Sequence, residues 1–342
     1  MTPRRPDKRD RKAEHLHLAL DPRMQEARNF FDDYVFVHEA LPEIDFAGID
    51  TRTTFLGKPL AAPLLISSMT GGTEAAAVIN RNLAAGAEQA GIALALGSQR
   101  KALEDPSQRA TFEVRDLAPS VPLLANLGAV QLNYGFGVDE CAEAVRMIDA
   151  DALIFHLNPL QEVLQPEGQT NFTGLLDKMA AVAARLPVPV VVKEVGAGLS
   201  RATAERLAAR GLRILDVAGR GGTSWARIES ARADDENLGT LFGDWGLPTP
   251  EAIRQVRTVP GVTVIGSGGI RSGLDVAKAI ALGADLAGIA APFLQPALEN
   301  ADAVARHAAR LVHELKIAMF CTGARTLAEL RHAPLVRRSE IR

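Results

Sequence analysis

Cysteine is scarce in this sequence. Cys141 and Cys321 are the only two, far apart and at no metal-ligand spacing, which excludes a disulfide scaffold and points to a reducing compartment. An excess of one charge is also lacking: a net charge of −3 leaves no footprint for nucleic acid. No apolar run approaches the length of a membrane span, and the basic, polar start of the chain lacks the apolar core of a secretory leader. We therefore expect a cytoplasmic protein with neither membrane nor nucleic acid as partner. Several catalytic signatures are missing as well. Without CxxC, HExxH or paired histidines, a transition metal caged by side chains is not expected. Without GxSxG or a Walker loop, a nucleophile elbow and a P-loop are excluded.

What is present is an ordinary globular composition, 47% hydrophobic and 23% charged over 342 residues, enough for one large α/β domain or two small ones. Residues 1–20 are charge-dense and would by themselves read as a frayed tail. RKAEHLHLAL then gains Leu16, Leu18 and Leu20, so the tail is expected to dock, carrying Arg11 and Lys12 to an anionic site. Residues 23–41 look helical in part, and 41–60, with Pro42, Gly48, Gly57 and Pro59, reads as a lead-in with short strands.

From Ala62 the pattern is regular. Apolar runs at 62–67, 92–96, 121–127, 152–157, 188–192, 212–217, 262–265 and 286–290 alternate with helical stretches. Runs apolar on both faces suit a parallel sheet covered by helices, and eight such units suit a (β/α)8 TIM barrel of α/β class. A doubly wound sheet is disfavoured because Gly266 and Gly268 are followed by Arg271 where a third glycine would complete GxGxxG. No linker splits the region. We expect an N-terminal extension over 1–60, a barrel over 61–342 and a C-terminal helical tail.

The chain centres on DALIFHLNPLQEVLQPEG, 151–168. His156 and Asn158 lie two apart and share a side of a strand, Pro159 stops the strand, and Gln161, Glu162, Gln165 and Glu167 follow in what reads as a carboxylate-bearing loop. A capped strand before a solvated loop explains this stretch equally well. Recurrence decides between them. Nearly every run ends in polar residues: Ser67, Ser68 and Thr70; Ser98, Gln99 and Arg100; Asn126; His156 and Asn158; Lys193 and Glu194; Asp216. Barrel strands share one C-terminal face, so these residues describe a polar mouth.

GSGGIRSGLD follows the seventh run. Its glycines let backbone N–H groups approach an anion, and Ser272 with Asp275 forms a capping box. GIAAPF after the eighth run offers a second helix start. Together they point to a phosphorylated ligand such as FMN or a sugar phosphate. Lys193 emerges into the barrel interior, where it needs an anionic or electron-rich partner. It could form a Schiff base or hold a flavin at its N1–C2=O edge. Glu162, a lone carboxylate, suits Mg²⁺ ligated otherwise by substrate phosphates and water, although a surface glutamate is the plainer explanation taken alone.

These residues resemble a known family. RKAEHL (11–16), FVHEALPEID (36–45), SSMTGG (67–72), GSQR (97–100), HLNPLQEVLQPEG (156–168), VVKEVG (191–196), GRGGTSWARIES (219–230), GSGGIRSGLDVAKAIALGA (266–284) and ELKIAMFCTGA (314–324) occur in order. Together they are similar to the type 2, FMN-dependent isopentenyl-diphosphate isomerases over nearly the whole chain. HLNPLQE and SSMTGG are specific; GSGGIRSG is shared with other FMN barrels. The resemblance implies FMN at the mouth, Mg²⁺, NADPH as flavin reductant, and transfer of a double bond to give dimethylallyl diphosphate without net redox change. It also implies a homo-oligomer, a tetramer or octamer.

By the same resemblance Ser68, Met69, Thr70, Ser98, Asn126, Lys193 and Thr223 contact FMN, while Gly269, Ile270, Arg271, Ala290 and Ala291 hold its phosphate. Arg11, Lys12, Arg100, His156, Asn158 and Gln161 bind the diphosphate substrate, Glu162 holds the metal, and Gln161, Lys193 and His156 form the catalytic group. Ala218 departs from the serine the family often carries there. No pair of carboxylates is poised for proton transfer, so reduced FMN is expected to do acid–base work.

An FMN-dependent 2-hydroxy-acid oxidase or dehydrogenase would carry a histidine after the sixth strand, where AGRGGTSW has none. An inosine-monophosphate dehydrogenase would need a loop cysteine, whereas Cys141 falls in a predicted helix and Cys321 in the helical tail. A catalytically silent FMN-binding barrel would have no use for Gln161–Glu162 or Arg11–Lys12. The stretch 219–247 reads as a long loop able to close over substrate.

Overall fold

The computed structural model describes residues 11–233 and 235–341, with the side chains of 11–13, 16 and 236 outside that description. Eight parallel strands close a barrel in chain order: β1 Leu64–Ile66, β2 Ala93–Ala95, β3 Leu123–Gly128, β4 Ala152–Leu157, β5 Val190–Glu194, β6 Ile214–Asp216, β7 Thr263–Ser267 and β8 Leu286–Ile289. β8 pairs back onto β1 through Ala287–Leu64 and Ile289–Ile66. All eight apolar runs are barrel strands, so the expected TIM barrel is the observed fold.

Register explains the two hydrophobic cores. Leu65 faces Ala93, Leu124 faces Ala152, Ile154 faces Val191 and Ile265 faces Leu286 across neighbouring strands. These residues form one cluster that fills the barrel, and the alternate residues pack outward against the helices in a larger one. Phe55 and Leu60, from the hairpin Thr53–Phe55/Lys58–Leu60, join the inner cluster and plug the N-terminal end.

Two residues further along the strands, the inward positions turn polar: Ser67, Asn126, His156, Lys193, Asp216 and Ser267, with Gly288 making room. The period of two carries each strand from a dry layer to a polar one at the C-terminal mouth.

Helix ends follow their caps. Glu74–Ala90 starts at Thr73, whose hydroxyl accepts from Ala76 N, and ends at Gly91 with φ 63°. The C-terminal sequence forms Ala291–Glu299, Ala301–Phe320 and Leu327–Leu330. Two expectations are corrected. The stretch after Pro159 is a short helix, Pro159–Leu164, with proline at its first turn, where no N–H is needed. The stretch 219–247 is not a loop throughout, because it holds helices Trp225–Arg232 and Glu236–Phe242, capped by the side chains of Ser224 and Asp235.

Candidate active site

The mouth is wired across strands. Asn126 Nδ2 donates to Ser68 Oγ at 2.8 Å, and Asn126 Oδ1 lies 2.8 Å from His156 Nδ1. Because the amide nitrogen faces Ser68, its oxygen must accept, so Nδ1 of His156 carries the proton. In the neutral ring Nε2 is then an acceptor. A Cβ on Gly128 would stand 3.1 Å from that Nε2, so glycine makes room for the imidazole. Gln99 anchors the chain from below: its Oε1 accepts Asn126 N at 3.0 Å and its Nε2 donates to Ala144 O at 2.9 Å.

Beside this chain the Pro159–Leu164 helix presents a second group. Asn158 Nδ2 donates to Gln161 Oε1 (3.1 Å) and Glu162 Oε1 (2.9 Å). Glu162 Oε2 accepts from Gln165 Nε2 (2.8 Å) and Gln169 N (2.6 Å). Gln169 Oε1 in turn takes Arg100 Nη1 at 3.1 Å. Thus one residue, Gln169, links the guanidinium expected to bind substrate to the carboxylate expected to bind metal. Asn158 Oδ1 is buried beside Glu162 and has no partner among the described residues. A carboxylate with an orphaned amide oxygen next to it fits a hard, oxygen-seeking cation such as Mg²⁺.

Gln161 Nε2 donates to Glu229 Oε1 at 2.8 Å. Glu229 was not singled out from the sequence. It is fully buried on the Trp225–Arg232 helix, 2.6 Å from Arg232 Nη1 and 3.0 Å from His15 Nε2. Burial pushes its carboxyl up, but His15, Gln161 and Arg232 together outweigh that and hold it below the usual range. The Glu229–Arg232 pair at i, i+3 was the one available signal in the sequence. His15 and Glu14, which reaches Arg232 at 3.2 Å, bring the helix Arg11–Ala19 to this wall of the mouth. The side chains of Arg11 and Lys12 lie outside the described residues. A narrow cleft opens beside Gln161, lined by Leu160, Thr223, Trp225, Phe242 and Trp245 among others.

Lys193, 8% exposed, donates from Nζ to Glu194 O at 2.7 Å. Glu194 Oε2 is gripped by the N–H groups of Val195, Gly196, Ala197 and Gly198 at 2.5–3.1 Å. Burial pushes the Glu194 carboxyl up, against the N–H groups of Ala197, Gly196 and Val195 and the charge of Lys193. This turn aims the Glu194 carbonyl back at the Lys193 ammonium.

The glycine-rich turn after β7 is a cradle. Gly268 and Gly269 have φ of 104° and 78°. A Cβ on Gly269 would lie 2.3 Å from the Gly221 backbone, so only glycine fits. Among the described residues the N–H groups of Gly269 and Ile270 have no hydrogen-bond partner. Ser272 and Asp275 form the expected capping box on helix Gly273–Ala281. Free amides at a helix start fit the phosphate of FMN, and Ala290 and Ala291 open the neighbouring helix.

Arg271, expected at the flavin phosphate, is also engaged within the protein. Its N–H is taken by Asp275 Oδ2 at 3.0 Å, and its guanidinium reaches the carbonyls of Glu26, Ala27 and Gly221. It fastens the N-terminal segment to the cradle, work that carbonyl acceptors on both sides of the fork demand. Thr223 likewise donates to Gln25 Oε1 at 3.1 Å. Ser68, Met69 and Thr70 follow β1, and Thr70 backbone atoms pack where a Cβ on Gly97, next to Ser98, would sit.

Comparison with known proteins agrees with this geometry. A family profile described as FMN-dependent dehydrogenase matches residues 21–114 and 158–337. The isopentenyl-diphosphate delta-isomerase of a Nostoc species is 52% identical over 96% of this chain and 95% of its own. That of Stutzerimonas stutzeri is 52% identical over 96% and 97%, and that of Paracoccus zeaxanthinifaciens 52% over 94% and 95%. Solved mandelate oxidase structures share the fold, one with a TM-score of 0.64 at 20% identity over 95% of this chain and 90% of its own. With a closed eight-stranded barrel, a family profile over most of its length and end-to-end relatives at this identity, the chain belongs to the isopentenyl-diphosphate delta-isomerases, within the FMN-dependent dehydrogenase family.

Proposed function

We propose that this protein converts isopentenyl diphosphate to dimethylallyl diphosphate, using FMN reduced by NADPH and Mg²⁺, with no net redox change. The observation that carries the proposal is the hydrogen-bonded set Arg100–Gln169–Glu162–Asn158–Gln161. In it the Arg100 guanidinium and the Glu162 carboxylate, to which we assign the metal, share hydrogen-bond partners with an amide whose orientation is held from both ends. A diphosphate needs several positive charges. Arg100 and Mg²⁺ on Glu162 supply them here, together with Arg11 and Lys12.

Reduced FMN, when bound, supplies the proton-transferring group and an electron-rich ring that stabilises cationic character in the alkene. The chain's own residues orient and enclose. Gln161, held by Asn158 and Glu229, positions the alkene. His156, held by Asn126 through Nδ1, lines the mouth beside it. Lys193 places a cation at the flavin's N1–C2=O edge, with Ser68, Met69, Thr70, Ser98, Asn126 and Thr223 around the ring. Gly269, Ile270, Ala290 and Ala291 hold the flavin phosphate through backbone N–H groups. Exposed Leu241 and Trp245 beside the mouth support a homo-oligomer, and the free, buried Cys141, its thiol pushed up to about 12 by burial, supports a reducing cytoplasmic setting and no thiol chemistry.

The test is an anaerobic incubation of the protein with FMN, Mg²⁺, NADPH and isopentenyl diphosphate. Dimethylallyl diphosphate formed without stoichiometric consumption of NADPH establishes the isomerase. A bound yellow flavin with no product overturns it.

A further inference from the structure

Lys193 on β5 and Asp216 on β6 are register partners on adjacent strands. Both occupy the inward polar layer, two residues beyond Val191 and Ile214 of the dry layer. Asp216 is 1% exposed. Its Oδ1 accepts from Ser267 Oγ at 2.5 Å and from Ala218 N at 3.2 Å. Its Oδ2 is buried and has no partner among the described residues. Lys193 spends one of its three ammonium protons on the Glu194 carbonyl. We propose that Asp216 sets the charge that Lys193 presents to the flavin, as a positioning residue inside the barrel. The proposal rests on the reading of Lys193 as the flavin-facing cation.

The surroundings leave Asp216 this task. At the same level β1, β7 and β8 contribute Ser67, Ser267 and Gly288, β2 leads into Gly97, and β3 contributes Asn126. None of these is charged. β4 contributes His156, whose Nδ1 is committed to Asn126. The Glu194 carboxylate is consumed by four amides of its own turn. Asp216 is therefore the one carboxylate of this layer among the described residues. Ionised, it makes the Lys193–Asp216 pair neutral; protonated, it leaves the pair cationic. Burial pushes its carboxyl up, against Lys193, Ser267 Oγ and the Ala218 N–H. The pair thus changes charge above the ordinary carboxylate range. In a water-poor interior one such charge is felt strongly by its neighbours.

Sulfite reads that charge, because it adds reversibly to oxidised flavin to give an anionic adduct. The full-length protein reconstituted with FMN would be titrated with sulfite between about pH 5 and 9, alongside Asp216→Asn. Asparagine keeps an oxygen acceptor for Ser267 and Ala218 and removes the charge. The sulfite Kd of Asp216→Asn is expected to be about tenfold tighter at the alkaline end. The two proteins should converge as pH falls and the wild-type carboxyl takes up its proton. Superimposed curves at every pH would overturn the proposal and leave Asp216 a structural residue.

Lys193→Gln separates this from the reading beneath it. It should weaken sulfite binding, and Asp216→Asn should recover part of that loss at alkaline pH in the double variant. An unchanged Kd in Lys193→Gln would sink the flavin-facing assignment itself. If Asp216→Asn does not fold, Ser267→Ala serves, since loss of its hydroxyl donor should move the wild-type step to higher pH. A Kd profile with no step beyond that of sulfite itself in the wild type, or an unmoved step in Ser267→Ala, would overturn the role of Asp216.

Discussion

Asn126 faces two ways, donating to Ser68 Oγ and accepting from His156 Nδ1, so its substitution changes two residues at once. Asn126→Asp reverses the amide end, because a carboxylate can only accept. We expect a fall in FMN affinity measurable by equilibrium dialysis, and retained affinity would show that Ser68 does not need its donor. Glu162→Gln removes the charge a divalent cation needs and keeps a side chain able to bond Asn158. It should abolish metal-dependent turnover while flavin absorbance stays at full occupancy. Loss of flavin in that variant would mean that Glu162 supports the cofactor rather than the metal. Glu162 and Gln161 stood out in the sequence through HLNPLQE and the family resemblance it carries. Glu229 was not, because a glutamate in a helix looks solvated until its burial is known.

Among the elements, the glycine turn after β7, to which we assign the flavin phosphate, depends on backbone conformation. Gly269→Ala would force a Cβ into Gly221 at φ 78°. Left-handed backbone alone costs a non-glycine residue about 1–2 kcal/mol, and the clash adds to it. FMN retention on gel filtration should be lost before the fold is, since the N–H groups of Gly269 and Ile270 move with the backbone. Ser272→Ala removes a cap worth about 1 kcal/mol and is expected to lower Tm by a few degrees with FMN still bound. The glycines and the capping box were readable in GSGGIRSGLD. The second use of Arg271 was not. Its guanidinium answers to carbonyls of residues 26–27, some 245 positions away in the chain, and no local pattern encodes that meeting.

The whole molecule repeats one device at the N-terminal end of its barrel. Asp151 precedes β4, and its Oδ2 accepts Leu123 N of β3 and Arg115, which also bonds Val121 O. Asp285 precedes β8, and its Oδ2 accepts Val264 N of β7 and Arg257, which also bonds Val262 O. Each Oδ1 meets a further cation, Lys58 at 2.7 Å or Arg331 at 2.8 Å. Opposite sides of the barrel are thus clamped alike, far from the mouth.

Asp151→Asn should cost about 2 kcal/mol, as expected for hydrogen bonds to a charged group, without touching FMN affinity. Burial pushes the Asp151 carboxyl up, but Lys58, Leu123 N and Arg115 outweigh it and hold it below the usual carboxylate range. A carboxyl lowered on folding contributes stability that is complete above its unfolded pKa and disappears as pH falls through the folded one. The difference in denaturation midpoint between wild type and Asp151→Asn should therefore be constant near neutrality and close in acid below about pH 4. A gap unchanged down to pH 2 would show that the charge of Asp151 contributes nothing.

Taken by itself, the sequence determined the number and order of the barrel strands, because runs apolar on both faces are stable only inside a helix-covered parallel sheet. It also marked where strands stop and turn, because Pro159, the 266–269 glycines and the polar strand ends are local signals. Only the tertiary structure decided that the 219–247 excursion is helical and supports Gln161 through Glu229. It likewise decided that Arg271 ties down the N-terminal segment, and that Asp216 lies beside Lys193 in a closed layer. Those facts depend on which strands become neighbours and which side chains lose water on folding. Burial, unlike periodicity, is a property of the assembled barrel rather than of any stretch within it.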